Sequence, residues 1–201
     1  MPNLVNKNKR NLFKKRHFVS IIKWTAAYLT RYFGYKRQPY VFETSNEDGV
    51  QMCICESEEK RYYAIFYDYM HFKRAYGELD FDGQEAYAMF IMAHEMRHYY
   101  QLRQMNSSKA DEPEERLKLW RENRENKKSV GEDCTVLEFF MQPMELDACL
   151  FAYVFVASKL DILMILDEID ENYINELEKY YVELFGETDE ELFPKKKSAE
   201  H

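Results

Sequence analysis

Glycine and proline are scarce in this 201-residue chain, with 6 Gly and 5 Pro. All-β sandwiches and barrels need turn punctuation every few residues, so this scarcity excludes them and favours long helices. Cysteine is also sparse: Cys53, Cys55, Cys134 and Cys149 form neither a C-x-x-C pair nor a disulfide-dense framework, which fits a reducing, cytoplasmic compartment. No apolar run is long enough to span a bilayer. The stretch from Phe18 to Leu29 follows a basic start, but Lys23 interrupts it and no small-residue cleavage site follows. It reads as an amphipathic helix.

Acid is missing altogether from residues 1–42, which hold ten Lys or Arg, so the other 159 residues carry −18 within a total of −8. A basic head therefore precedes an acidic body. Such a head can meet nucleic acid, an anionic membrane or the acidic body itself, and its residues do not separate these partners.

At 46% hydrophobic and 32% charged, the composition suits one globular domain with appendages. The expected class is α+β and mostly helical: a flexible basic head at 1–16, one domain over 17–193, and a disordered tail at 194–201. A first helix over about 18–33 should stop at Gly34, followed by a short strand at 39–43. Val50–Cys55 and Arg61–Tyr69 read as a hairpin, part of a three-stranded sheet. Cys53 and Cys55 alternate on this hairpin and are expected as two buried thiols on one face.

Asp82 and Glu85 resemble a capping box ahead of the apolar run Ala86–Ala93, predicting a buried helix over about 83–104. Residues 106–134 form a charged insertion, with twelve charged residues among the eighteen from Asp111 to Lys128 and Leu117, Leu119 and Trp120 as apolar anchors. A short solvated helix is expected there. Pro143 opens a nearly all-apolar helix to about 159, and apolar positions from 162 to 184 follow helical spacing to Gly186.

Within the buried helix stands His94-Glu95-Met96-Arg97-His98, an H-E-x-x-H sequence. Histidines four residues apart share one helical face and can point at a common ion, a geometry that suits tetrahedral Zn²⁺. Glu95 is rotated away from that face, where it can serve as general base. A catalytic zinc needs a third protein ligand and one open position. No third histidine follows nearby, and His17, His71 and His201 lie elsewhere in the chain.

Glu145 is the better candidate, since it shares a face with Ala148, Cys149 and Ala152, whose small side chains allow close helix approach. Asp147 is turned about 200° from Glu145. It either orients a ligand histidine through its second ring nitrogen or caps the helix. Arg97 reads as a salt-bridge partner. An oxyanion donor is expected but unassigned among Tyr99, Tyr100, His71 and Tyr153.

The segments Ala93–Tyr99 and Glu145–Ala152 resemble the gluzincin metallopeptidases, and in detail the ImmA/IrrE-type, whose second segment tends to read E-x-x-A-N-x-F-A. Glu145, Ala148, Phe151 and Ala152 match; Cys149 replaces the Asn, and Arg97 stands where such proteins often have Gly. The resemblance covers roughly residues 80–160. It implies a zincin-like fold and a zinc peptidase with His94, His98 and Glu145 as ligands and Glu95 as base, acting on a protein or peptide substrate; the small size of the chain favours a regulatory protease of narrow range. The alternative is a non-catalytic module that binds metal or a partner on the same scaffold. A structural zinc would require a fourth ligand from Cys134, Asp133 or Asp147.

Overall fold

The computed structural model describes residues 13–45, 52–57, 62–131 and 133–160. The class is α+β and mostly helical: α1 (Lys15–Tyr32), β1 (Tyr40–Glu43), β2 (Met52–Glu56), β3 (Tyr63–Tyr67), α2 (Tyr69–Tyr76), α3 (Phe81–Met105), α4 (Glu114–Glu125), α5 (Val136–Phe140) and α6 (Pro143–Leu160). The three strands are ordered β1-β3-β2, with β1 parallel and β2 antiparallel to β3. Among the described residues no helix is long and apolar enough to cross a membrane. The helix expected over 162–184 and the tail from 194 lie outside the described residues.

The first helix begins earlier than its apolar pattern. Phe13 is already buried, so the end of the basic head belongs to the core, and Lys15 pairs with Glu43 at 2.6 Å. The buried face of α1 runs through Phe18, Ile22, Ala26 and Leu29, at helical spacing. The helix stops at Gly34, whose φ of 71° is a left-handed conformation that glycine adopts without a Cβ penalty. In β3 the side chains of Tyr63, Ile65 and Tyr67 alternate inward.

Four local expectations change. The second hairpin strand ends at Tyr67, because the Asp68 carboxylate accepts from the backbone N–H of Met70 and His71 and starts α2. The cap of α3 is Asp80, which accepts from Gly83 N–H at 2.9 Å; Asp82 lies in the first turn. Cys53 is half-buried and Cys55 exposed, since β2 is an edge strand covered less completely than β3. The charged insertion is no solvated appendage: Leu117 and Trp120 of α4 are buried, and α4 packs on both α3 and α6. Leu119 is only partly buried.

Helices α3 and α6 form the most extensive helix pairing. Pro143 sits in the first turn of α6, where its missing N–H costs nothing. Ala148 and Ala152 are fully buried. Hydrogen bonds from Arg97 and Gln101 to Asp147 and the Met144 carbonyl hold the N-terminal part of α6 against the second half of α3.

Candidate metal centre

The interface between α3 and α6 brings together His94, His98 and Glu145. His94 Nε2 lies 3.0 Å from His98 Nε2. Glu145 Oε2 lies 3.2 Å from His94 Nε2 and 3.4 Å from His98 Nε2. A tetrahedral ion with bonds of about 2.0–2.1 Å keeps its ligand atoms about 3.3 Å apart, so the triangle fits such an ion. Among the described residues these three form the single metal-suited cluster; Cys134, Asp133 and Asp147 do not join it. The fourth side of the cluster faces a cleft of about 1280 Å³.

Orientation of His98 follows from its neighbours. Gln101 Nε2 donates to Asp147 Oδ2 at 2.7 Å and to the Met144 carbonyl at 3.0 Å. With its amide nitrogen committed to two acceptors, Gln101 turns Oε1 toward His98, and Nδ1–H of His98 donates to it at 2.7 Å. In the neutral ring the lone pair then resides on Nε2, the atom that faces His94 and Glu145. Asp147 thus acts on His98 through Gln101, not by direct contact and not as a helix cap.

Asp147 also receives Arg97. The guanidinium donates from Nε to Oδ2 at 2.8 Å and from Nη2 to Oδ1 at 2.9 Å. Its carbon stands 4.6 Å from the ring centre of Tyr100, 5.1 Å from Phe151 and 5.9 Å from Trp120. An aromatic cage and a bidentate carboxylate therefore satisfy this buried cation. Arg97 ties α3, α4 and α6 together behind the site.

The electrostatics are those of tightly coupled groups. Burial opposes the charged form of His98, but the charge of Glu145 and its hydrogen bond outweigh this, with Glu95 and Gln101 adding, and the pKa is pushed up to about 9. Burial would raise Glu145, yet the two imidazoles hold it well below the usual carboxylate range. Burial raises Glu95, the imidazoles pull it back, and the Glu145 charge adds to the rise. Cys149, beneath Glu145, is pushed up to about 12 by burial and by that carboxylate. It remains an inert thiol.

Glu95 lines the same cleft as the cluster. The expected oxyanion donors do not. Tyr99 OH donates to the Arg37 carbonyl at 2.7 Å and Tyr100 OH to Glu112 at 2.9 Å, and neither these nor His71 or Tyr153 lines the cleft. Among the described residues, two beyond the sequence expectation reach the site: Gln101, three positions after His98 on the same face, and Lys127, whose ammonium lies 2.7 Å from Glu145 Oε1. The i+3 spacing signals Gln101; no local spacing signals Lys127.

The cleft walls differ in character. Edge strand β2 contributes Met52, Cys53 and Ile54, and α5 contributes Val136, Leu137, Phe139 and Phe140. No residue of α5 is buried, although four of its five are apolar. No family model, curated protein or solved structure matches the chain.

Proposed function

We propose that this chain is a zinc-dependent peptidase of the zincin type, with His94, His98 and Glu145 as metal ligands, Glu95 as general base and a restricted set of protein substrates. One observation carries the reading: two imidazole nitrogens and one carboxylate oxygen converge within 3.4 Å of one another, with no fourth protein ligand among the described residues and a cleft on the open side. A structural zinc would be closed by four ligands. The small sheet beside the H-E-x-x-H helix supports the zincin comparison, and the gluzincin and ImmA/IrrE-type resemblance agrees with the donor set.

When bound, the ion would supply Lewis acidity, lowering the pKa of a water and polarising a carbonyl oxygen. The chain's own residues do the rest. The Glu95 carboxylate accepts the proton of the attacking water and passes it to the nitrogen of the departing amine. Its burial suits a base whose proton affinity must rise toward neutrality. Gln101 and Asp147 hold His98 with Nε2 forward, and Arg97 holds Asp147. Between β2 and α5 the cleft can hold an extended peptide, with main-chain groups toward the strand edge and apolar side chains toward α5.

A second reading has one observation of its own: the three groups hydrogen-bond one another, so they can satisfy their burial without an ion. Metal analysis with a library of internally quenched peptides separates the readings. His94→Ala should lose Zn²⁺; Glu95→Gln should keep it and lose about 10²–10⁴-fold in turnover. Cleavage by Glu95→Gln at the wild-type rate would reject the peptidase reading. Full zinc affinity in Glu145→Ala would remove Glu145 from the ligand set.

A further inference from the structure

Glu145 divides its two carboxylate oxygens between different partners. Oε2 faces the two imidazoles at 3.2 and 3.4 Å, while Oε1 accepts from Lys127 Nζ at 2.7 Å. Lys127 comes from the segment between α4 and α5, far from either ligand helix in sequence.

That segment is not held loosely beside the site. Gln142, at the entrance to α6, grips both backbone groups of Lys128: its Oε1 accepts from the N–H at 2.9 Å and its Nε2 donates to the carbonyl at 2.9 Å. Asn123, in the last turn of α4, donates to Gln142 Oε1 at 3.2 Å and accepts from Met144 N–H at 2.9 Å. The backbone beside Lys127 is therefore clamped to the first turn of the helix that carries Glu145. The ammonium also lies 5.4 Å from the ring centre of Phe139.

We propose that Lys127 is a positioning residue of the metal site, holding Oε1 of Glu145 so that Oε2 alone is presented to the point where His94 and His98 converge. This rests on the metal reading above. A carboxylate free to offer both oxygens can bind an ion through two atoms and raise its coordination number; one oxygen anchored elsewhere restricts it to one bond and preserves an open position. The opposing effect is repulsion between the ammonium and a bound cation. Lys127 is half exposed, at 50%, so solvent screens that repulsion, whereas the hydrogen bond to a carboxylate only 4% exposed is short and shielded. Orientation wins over repulsion.

The test uses the full chain, Zn²⁺ affinity by competition with a chromophoric chelator, and the visible spectrum of the Co²⁺ form, which weakens as coordination rises from four to five. Lys127→Met should lose about 10–100-fold in Zn²⁺ affinity and show the weaker spectrum, with its unfolding free energy within about 1 kcal/mol of wild type, because Lys127 is half exposed and the two imidazoles still pair the buried carboxylate. Lys127→Arg should recover affinity, and Lys128→Met should stay within about twofold of wild type. Affinity unchanged or higher in Lys127→Met, or a loss equalled by Lys128→Met, overturns the role of Lys127 while leaving the metal reading in place. Wild-type protein that takes up neither Zn²⁺ nor Co²⁺ overturns the metal reading itself.

Discussion

Arg97 and Asp147 form a two-pronged ion pair across the α3–α6 interface, at 2.8 and 2.9 Å, with both side chains under 10% exposed. Between this pair and the cluster stands Gln101, bonded to Asp147 on one side and to His98 on the other. The packing of two helices and the orientation of a candidate ligand thus share one chain of hydrogen bonds.

Breaking the pair from one side leaves a buried charge alone. Asp147→Ala should destabilise the protein by about 3–5 kcal/mol, and Arg97→Met by a similar amount, measured by urea unfolding. A loss below about 1 kcal/mol for both would show that the pair is not shielded as its geometry implies.

Gln101 can be tested with less damage to the fold. Gln101→Met keeps the side-chain volume but removes the acceptor for His98 Nδ1–H, freeing the ring to turn and change tautomer. Zn²⁺ affinity should fall about 10–100-fold, as for other residues that orient a histidine ligand. Unchanged affinity in a chelator competition would place His98 under other control.

Protons and metal should compete at His98. With its pKa raised to about 9, metal-free His98 is protonated at neutral pH, so Zn²⁺ must displace that proton. Calorimetry in buffers of different ionisation enthalpy should show release of about one proton at pH 7, and affinity should fall about tenfold per pH unit below 9. The sign for stability is set by the same shift. In the metal-free chain the His98–Glu145 contribution is fully present between about 4.5 and 6.5; it is lost as pH rises through about 9, where His98 gives up its proton, and also as pH falls below 4.5 and Glu145 takes one up. Chelated wild type should therefore lose stability from about pH 6.5 to 9 more steeply than Glu145→Gln; parallel profiles would contradict the coupling.

The apolar wall of α5 should matter for substrate and not for folding. Val136 and Leu137 are 42% and 47% exposed. A Val136→Ser, Leu137→Ser double variant should keep its stability within about 0.5 kcal/mol. Its KM for cleaved peptides should rise with little change in kcat. A fall in kcat at constant KM would assign α5 a different role.

The insertion carrying α4 should be integral to the domain. Trp120 is fully buried, so Trp120→Ala should cost about 3–5 kcal/mol by chemical denaturation. A solvated appendage would lose less than about 0.5 kcal/mol.

Legibility in the sequence followed the range of the interaction. The breaks at Gly34 and Pro143, the buried face of α1 and the helix through His94 and His98 are local patterns, set by backbone conformation and residue spacing. An acidic cap ahead of α3 was readable in kind, but Asp82 was the expected position in place of Asp80, and Asp68 was hidden as a cap within the strand-like run to Tyr69. The burial of Cys53 and Cys55 depended on which strand became the edge, a property of sheet order and not of β2 itself.

For the candidate site, the sequence alone determined that two imidazoles would stand one turn apart on a buried helix, because a helix enforces that spacing wherever it lies. Small residues after Glu145 also marked the face of α6 suited to close packing. Only the tertiary structure decided that Glu145 Oε2 would meet those imidazoles, that Asp147 would reach His98 through Gln101, and that Lys127 would take the second carboxylate oxygen. The contacts of Glu145 with His94, His98 and Lys127 and of Asp147 with Gln101 join positions 18 to 51 residues apart, and no local periodicity encodes which of them will meet; the packing of α4 and α6 against α3 does.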